Sequence, residues 1–303
     1  MKRLVHSPQG YLRQMQMSKA RVWIFFEGKT DRYFYSKLAE ATAEECGKTR
    51  TFQVASADEL APDGGGKSVL VKFFEFLRDG QNLVSRLAGR ETRSVFFLDK
   101  DVDDILGKRI ASPHVIYTDF YSLESYLFKY GNIVDACAVS LALPLQDVRR
   151  VVPDADSWRI RCALLWKDWL SVCLFAARSG IGIASFSAPS RVNLNTYEGV
   201  DGVLLAQMEA VCLSAATNAG DPLRLLTECR QMVSQHYAAN NHDRIFNGKW
   251  YAHFLEDHIN KSLPNASSQG LSKKIPLHLA QSLRFEDQWA KHLRSKLAMH
   301  LGV

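Results

Sequence analysis

Two short apolar runs each stop abruptly at an acid, and that punctuation restricts the fold more than any other feature of the chain. Residues 21–26 (RVWIFF) end at Glu27-Gly28-Lys29-Thr30-Asp31, and residues 94–98 (SVFFL) end at Asp99-Lys100-Asp101-Val102-Asp103-Asp104. Apolar runs without polar alternation fit strands covered on both faces, as in a parallel sheet. In such sheets functional groups collect beyond the carboxyl ends of the strands. The acids therefore stand where chemistry is expected.

The intervening sequence supports alternation of strand and helix. From Asp31 onward DRYFYSKLAEATAEEC repeats Phe34, Leu38 and Ala41 at helical spacing. A second strand is expected at residues 51–55, followed by Pro62, the glycines Gly64-Gly65-Gly66-Lys67-Ser68, and a helix over 69–77 with Leu70, Phe73, Phe74 and Leu77 on one side. A fourth run, residues 114–118, precedes Asp119 and the helix-forming stretch that contains Glu124. The expectation is an α/β fold: a leader over 1–20, a mainly parallel sheet flanked by helices over 21–131, and a helical C-terminal region over 132–303. Within that region residues 158–177, 202–216 and 222–237 carry the longest helical patterns.

Bulk properties exclude little but exclude it clearly. Of the 303 residues 47% are hydrophobic, enough for an ordinary core, and a net charge of +6 suits a nucleic-acid partner without requiring one. Cys46, Cys137, Cys162, Cys173, Cys212 and Cys229 show no CxxC spacing, so they read as reduced thiols of a cytoplasmic protein. His236, His242 and His258 are too far apart to suggest a metal cluster, and Trp158, Trp166 and Trp169 read as core. No segment has the pattern of a signal peptide or membrane span. Residues 271–303 hold six Lys or Arg against two acids, which reads as a solvated helix face before a basic binding face.

Glu27, Asp99 and Asp101 form the candidate centre. On an extended backbone Asp99 and Asp101, two residues apart, would point the same way and hold a divalent cation from one side. Clustered carboxylates repel one another, and Mg²⁺ or Mn²⁺ relieves the repulsion and supports phosphoryl chemistry. Glu27 is either a further ligand or the general acid/base. Isolated acids after strands are usually caps, and Asp31, Asp103 and Asp104 are read that way. Lys29, Lys67, Lys100 and Lys249 are candidates for phosphate contact, although surface lysine is the commoner explanation of each.

The phrases FFEGKTD, VFFLDKD and YSLESYLF, with their acids at Glu27, Asp99, Asp101 and Glu124, resemble the E…DxD…E pattern of Toprim nucleases, in particular the OLD-like branch that includes effectors of phage-defence systems. The resemblance covers about residues 21–130; beyond it only a helical half and Gly248-Lys249-Trp250 are similar. It implies a Toprim-like catalytic domain and an Mg²⁺- or Mn²⁺-dependent nuclease acting on RNA, including transfer RNA, or on DNA. It also implies control by a partner ATPase and leaves room for a homodimer. Glu27, Asp99 and Asp101 match the catalytic and metal-binding acids, Glu124 matches the later acid, and Lys249 joins the catalytic set. The chain is too short for a topoisomerase.

Two other functions compete. Gly64-Gly65-Gly66-Lys67-Ser68 opens a helix as a phosphate-binding loop does, with VFFLD as the acid-bearing strand of an ATPase. Against this, Ala61 stands where the motif needs glycine, the loop follows the second strand, and Glu27 is left without a role. A non-catalytic sensor or assembly subunit would be expected to have lost the acids, which are intact.

Overall fold

The structure, a computed structural model, describes residues 7–47, 51–61, 64–187, 189–193, 199–218, 220–264, 266 and 268–302. Pro62, part of the leader and part of the 265–270 loop lie outside them. The chain divides into two compact units. The first comprises Met1–Asp99, Ile110–Thr118 and Arg284–Val303; the second comprises Lys100–Arg109 and Asp119–Leu283. These are not the consecutive stretches that the sequence suggests.

The first unit is built on a five-stranded sheet containing β1 (Val22–Phe26), β2 (Phe52–Ser56), β3 (Val84–Leu87), β4 (Arg90–Leu98) and β5 (Val115–Tyr117). β2, β1 and β4 run parallel in that order, with Phe25 of β1 beside Phe96 of β4. The far edge of β4 is shared. Its first half pairs antiparallel with β3, and its last residues pair parallel with β5. Every residue of β1 is buried, as expected of a central strand covered on both faces. β3 was not anticipated, because VSRL is short and half exposed and carries none of the apolar continuity of its neighbours.

Helices cover the sheet. α1 (Pro8–Met17), within the expected leader, inserts Tyr11, Leu12 and Met15 into the core. α2 (Arg32–Cys46) buries Phe34 and Leu38, and α3 (Lys67–Asp79) buries the predicted stripe Leu70, Phe73, Phe74 and Leu77. Tyr11, Phe25, Phe73 and Phe96 meet in edge-on and stacked ring contacts, with Phe25 and Phe96 5.0 Å apart. The final helix, Lys291–Leu301, belongs to this unit and buries Leu293, Leu297 and Leu301. Arg294 is turned inward to Glu45 at 2.7 Å and to the Phe285 carbonyl, so the helix is seated by packing.

The second unit is helical: α4 (Leu123–Tyr130), α5 (Ile133–Leu141), α6 (Leu145–Val151), α7 (Ala155–Leu165), α8 (Lys167–Ser179), α9 (Gly202–Ala215), α10 (Pro222–Ala238), α11 (Lys249–Ser262) and α12 (Leu271–Ser282). Residues 158–177 are two helices instead of one. The break falls at Trp166, which turns in against Trp250 and Phe254 at ring distances of 5.5 and 5.3 Å. All three tryptophans of this stretch are buried, as expected of core residues. Among the described residues no helix is long and apolar enough to cross a membrane.

Candidate functional site

β1 and β4 are neighbours, so their carboxyl ends deliver Glu27 and Asp99 side by side. Glu27 Oε1 accepts the backbone N–H of Asp99 at 2.8 Å. The Asp99 carbonyl in turn accepts Lys67 Nζ at 2.6 Å, and that ammonium lies 5.8 Å from the Tyr117 ring centre. Asp99 is buried, at 6% exposure, so both backbone bonds are shielded from competing water. Lys67 is therefore engaged with the peptide of an acid, a role the sequence did not suggest.

The glycine loop and the turn after β1 brace the same strand end. Gly66 N–H bonds to the Glu27 carbonyl at 3.3 Å. Gly66 has φ +93, a conformation that glycine adopts without the strain a side chain would cause. Asp58 accepts the Lys29 N–H, and a Cβ on Gly65 would lie 2.8 Å from the Asp58 carboxyl carbon. Asp31 precedes α2 without capping it through its side chain; its carboxylate instead accepts the Gly28 N–H at 3.0 Å and closes the 28–31 turn. Lys29 itself is exposed.

The expectation for Asp101 needs correction. β4 ends at Leu98, and Asp101 sits in a turn with φ +49, so the alternation of an extended strand does not carry Asp99 and Asp101 to one side. The cause lies in the bonds of the second unit, to which Lys100 and Asp101 belong. Asp101 N–H bonds to the Tyr121 carbonyl at 2.7 Å. Lys100 is 3% exposed, with Nζ on the Arg244 carbonyl at 2.7 Å and on Asp104 at 3.2 Å. Burial lowers the pKa of Lys100, and Asp104 opposes the shift. A lysine so enclosed does not present itself to a nucleic-acid backbone, which removes it from the phosphate-contact candidates. Asp104 is exposed and accepts both Lys100 and the Ile105 N–H.

Glu124 and the Gly248-Lys249 pair, 124 positions apart by subtraction of their numbers, meet within the second unit. A Cβ on Gly248 would stand 2.4 Å from the Ser125 nitrogen and 2.9 Å from the Glu124 carbonyl carbon, so glycine is required by backbone contact. Glu124 Oε2 is buried and makes no hydrogen bond, and the Ser122 and Ser125 hydroxyls beside it in sequence are in the same condition. Lys249 is exposed at the start of α11, with its N–H on Asn247 Oδ1.

Sequence reasoning missed one cluster altogether. Asp243, fully buried, lies 2.5 Å from Arg159 Nη1 and 3.0 Å from Lys129 Nζ, while its carbonyl accepts the Tyr121 N–H at 2.8 Å. The signal was present in HDRIFNGKW, where charged residues interrupt a run of large apolar ones. Only the folded chain pairs it with α4 and α7.

Among the described residues no group of three or more His, Cys, Asp or Glu is arranged to hold a metal ion. The six cysteines are free and His236, His242 and His258 form no metal group. No protein-family model matches the chain. No curated protein matches it either.

Proposed function

We propose that the chain is a metal-dependent, Toprim-like nuclease that cleaves phosphodiester bonds, with Glu27 and Asp99 at its centre. The observation that carries this reading is the Glu27–Asp99 hydrogen bond at adjacent strand ends, where a carboxylate is held against the backbone of a second, buried acid. The donor set is made of hard carboxylate oxygens, which suits Mg²⁺ or Mn²⁺. Glu124 has a buried carboxylate oxygen lacking a hydrogen-bond donor, a position that a bound cation would satisfy.

In this proposal Asp99 is a ligand, Glu27 is a ligand or the group that moves a proton to or from the attacking water, and the ligand role of Asp101 rests on the family resemblance. Lys67 fixes the Asp99 peptide. Lys29 and Lys249, both exposed, are the proposed contacts to phosphate oxygens. A bound Mg²⁺ or Mn²⁺ would supply charge stabilisation at the phosphate and lower the pKa of water. The substrate class, RNA such as transfer RNA or DNA, and a partner ATPase of a defence complex rest on the family resemblance.

One observation favours a second reading. Lys67 at the head of α3 reaches Asp99, the pairing that a nucleotide-binding loop would also bring about. Its partner is the Asp99 carbonyl, however, and the Gly66 N–H is given to Glu27 instead of facing outward.

The test incubates purified protein with transfer RNA, messenger RNA and plasmid in Mg²⁺ or Mn²⁺, with and without a co-expressed neighbouring ATPase, and compares Glu27→Ala and Asp99→Ala. Metal-dependent cleavage lost in both variants supports the nuclease. Absence of cleavage under every condition, with ATP hydrolysis that disappears in Lys67→Ala, supports the nucleotide-binding alternative.

A further inference from the structure

We propose that Asp243 is the positioning residue for Asp101, acting through a chain of backbone hydrogen bonds that fixes the acid-bearing turn; this rests on the nuclease reading. Asp101 sits at φ +49, a left-handed conformation uncommon outside glycine that aspartate adopts more readily than most residues, and a contact from the surrounding chain holds it there. That contact is its N–H on the Tyr121 carbonyl at 2.7 Å. Tyr121 in turn gives its own N–H to the Asp243 carbonyl at 2.8 Å. The acid, the tyrosine and the second acid thus form one relay.

The turn at residues 242–244 holds the same region by two further bonds. Lys100 Nζ reaches the Arg244 carbonyl at 2.7 Å, and Arg244 Nε reaches the Asp119 carbonyl at 3.3 Å. Lys100, which precedes Asp101, together with Asp119 and Tyr121, is therefore tied to two consecutive residues, Asp243 and Arg244, from a distant part of the sequence.

What fixes that turn is charge. Asp243 is fully buried, and its two carboxylate oxygens face different cations: Arg159 Nη1 at 2.5 Å from Oδ1 and Lys129 Nζ at 3.0 Å from Oδ2. Tyr251 Oη lies 3.5 Å from Oδ1, and Arg159 Nη1 also meets His242 Nε2 at 3.1 Å. A buried acid between two cations has one favourable orientation, because any displacement leaves charge uncompensated in a medium of low dielectric. The main chain of residue 243 inherits that rigidity, and Asp101 inherits it through Tyr121. Groups that orient a metal ligand without touching the metal act in this way, and their loss commonly weakens metal binding by roughly 10- to 100-fold.

The experiment measures Mn²⁺ binding by electron paramagnetic resonance, with Mn²⁺ alone as the probe, and RNA cleavage across the same metal range. Wild type is compared with Asp243→Asn, which keeps the shape and removes the charge, with Lys100→Met, which cuts the second tie to the turn, and with the double variant. Expected are Mn²⁺ dissociation constants and half-saturating metal concentrations raised roughly 10-fold or more in each single variant. Cleavage should recover near the wild-type rate at saturating metal. The double variant should fall short of the product of the two effects, because both act through one turn. A merely structural role would lower the active fraction at every metal concentration and leave the metal dependence unchanged; that result overturns the inference. If Asp243→Asn does not fold, Lys100→Met decides by the same criteria. Wild type that neither binds Mn²⁺ nor cleaves overturns the nuclease reading beneath it, a failure visible in the wild type and not in the variants.

Discussion

Glu27 Oε1 accepts the Asp99 N–H at 2.8 Å, which ties the ends of two adjacent parallel strands through a side chain. Glutamine at position 27 keeps an acceptor of the same shape and removes the charge, so Glu27→Gln should melt close to wild type. Glu27→Ala leaves a buried amide without a partner and should lose about 1–3 kcal/mol. Both should lose cleavage by roughly 100-fold or more if Glu27 is a ligand or moves a proton. Thermal melts and cleavage assays on the two variants together separate stability from chemistry.

Lys67 supplies the second restraint on the same peptide, through the Asp99 carbonyl at 2.6 Å. Lys67→Met removes the donor while keeping much of the aliphatic stem. It should destabilise the protein by about 1–3 kcal/mol and reduce cleavage, with no effect on the salt dependence of nucleic-acid binding. A reduced salt slope in a binding titration would instead identify Lys67 as a phosphate contact.

Gly248→Ala tests whether the Glu124 and Gly248-Lys249 segments meet as described. Gly248 has φ −58, which alanine adopts freely, so any cost comes from space alone. The added methyl would lie 2.4 Å from the Ser125 nitrogen. Backbone must move, and a loss of about 1–3 kcal/mol in chemical denaturation is expected. An unchanged midpoint would contradict the contact.

Acid should weaken the second unit before carboxylates titrate. His242 is buried, and burial holds its pKa below the ordinary 6.5, although Asp243 pulls the other way. Below about pH 6.5 the unfolded chain takes up a proton at this position that the folded chain does not. Stability is therefore present above that pH and is lost as pH falls from 6.5 toward the lowered folded value. His242→Gln should flatten the dependence of unfolding free energy on pH between 7 and 5.5 by up to about 1.4 kcal/mol per pH unit. His236 and His258 are lowered by burial in the same sense and leave a residual slope.

The parallel strands and the Glu27 and Asp99 positions were legible because burial on both faces writes itself as continuous apolar sequence, and because a strand end followed by an acid is a local signal. The Asp101 conformation was not, since it depends on bonds to Tyr121 and, beyond it, to Asp243. β3 was invisible for a similar reason: half-exposed VSRL pairs only because β4 offers it an edge. The final helix looked like a solvated basic surface, yet Arg294 points inward to Glu45 and Phe285, a destination 249 residues away in the first case. Local pattern reveals elements; long-range polar contacts, which set the turn at Asp101, leave almost no periodic trace.

The most direct test of the central claim is a Mn²⁺ titration of wild type, Glu27→Gln and Asp99→Asn, followed by electron paramagnetic resonance. The account predicts saturable binding by the wild type, weakened roughly 10-fold or more in each variant while their melting temperatures stay near wild type. Binding of equal strength in all three proteins, or none in the wild type, would contradict it.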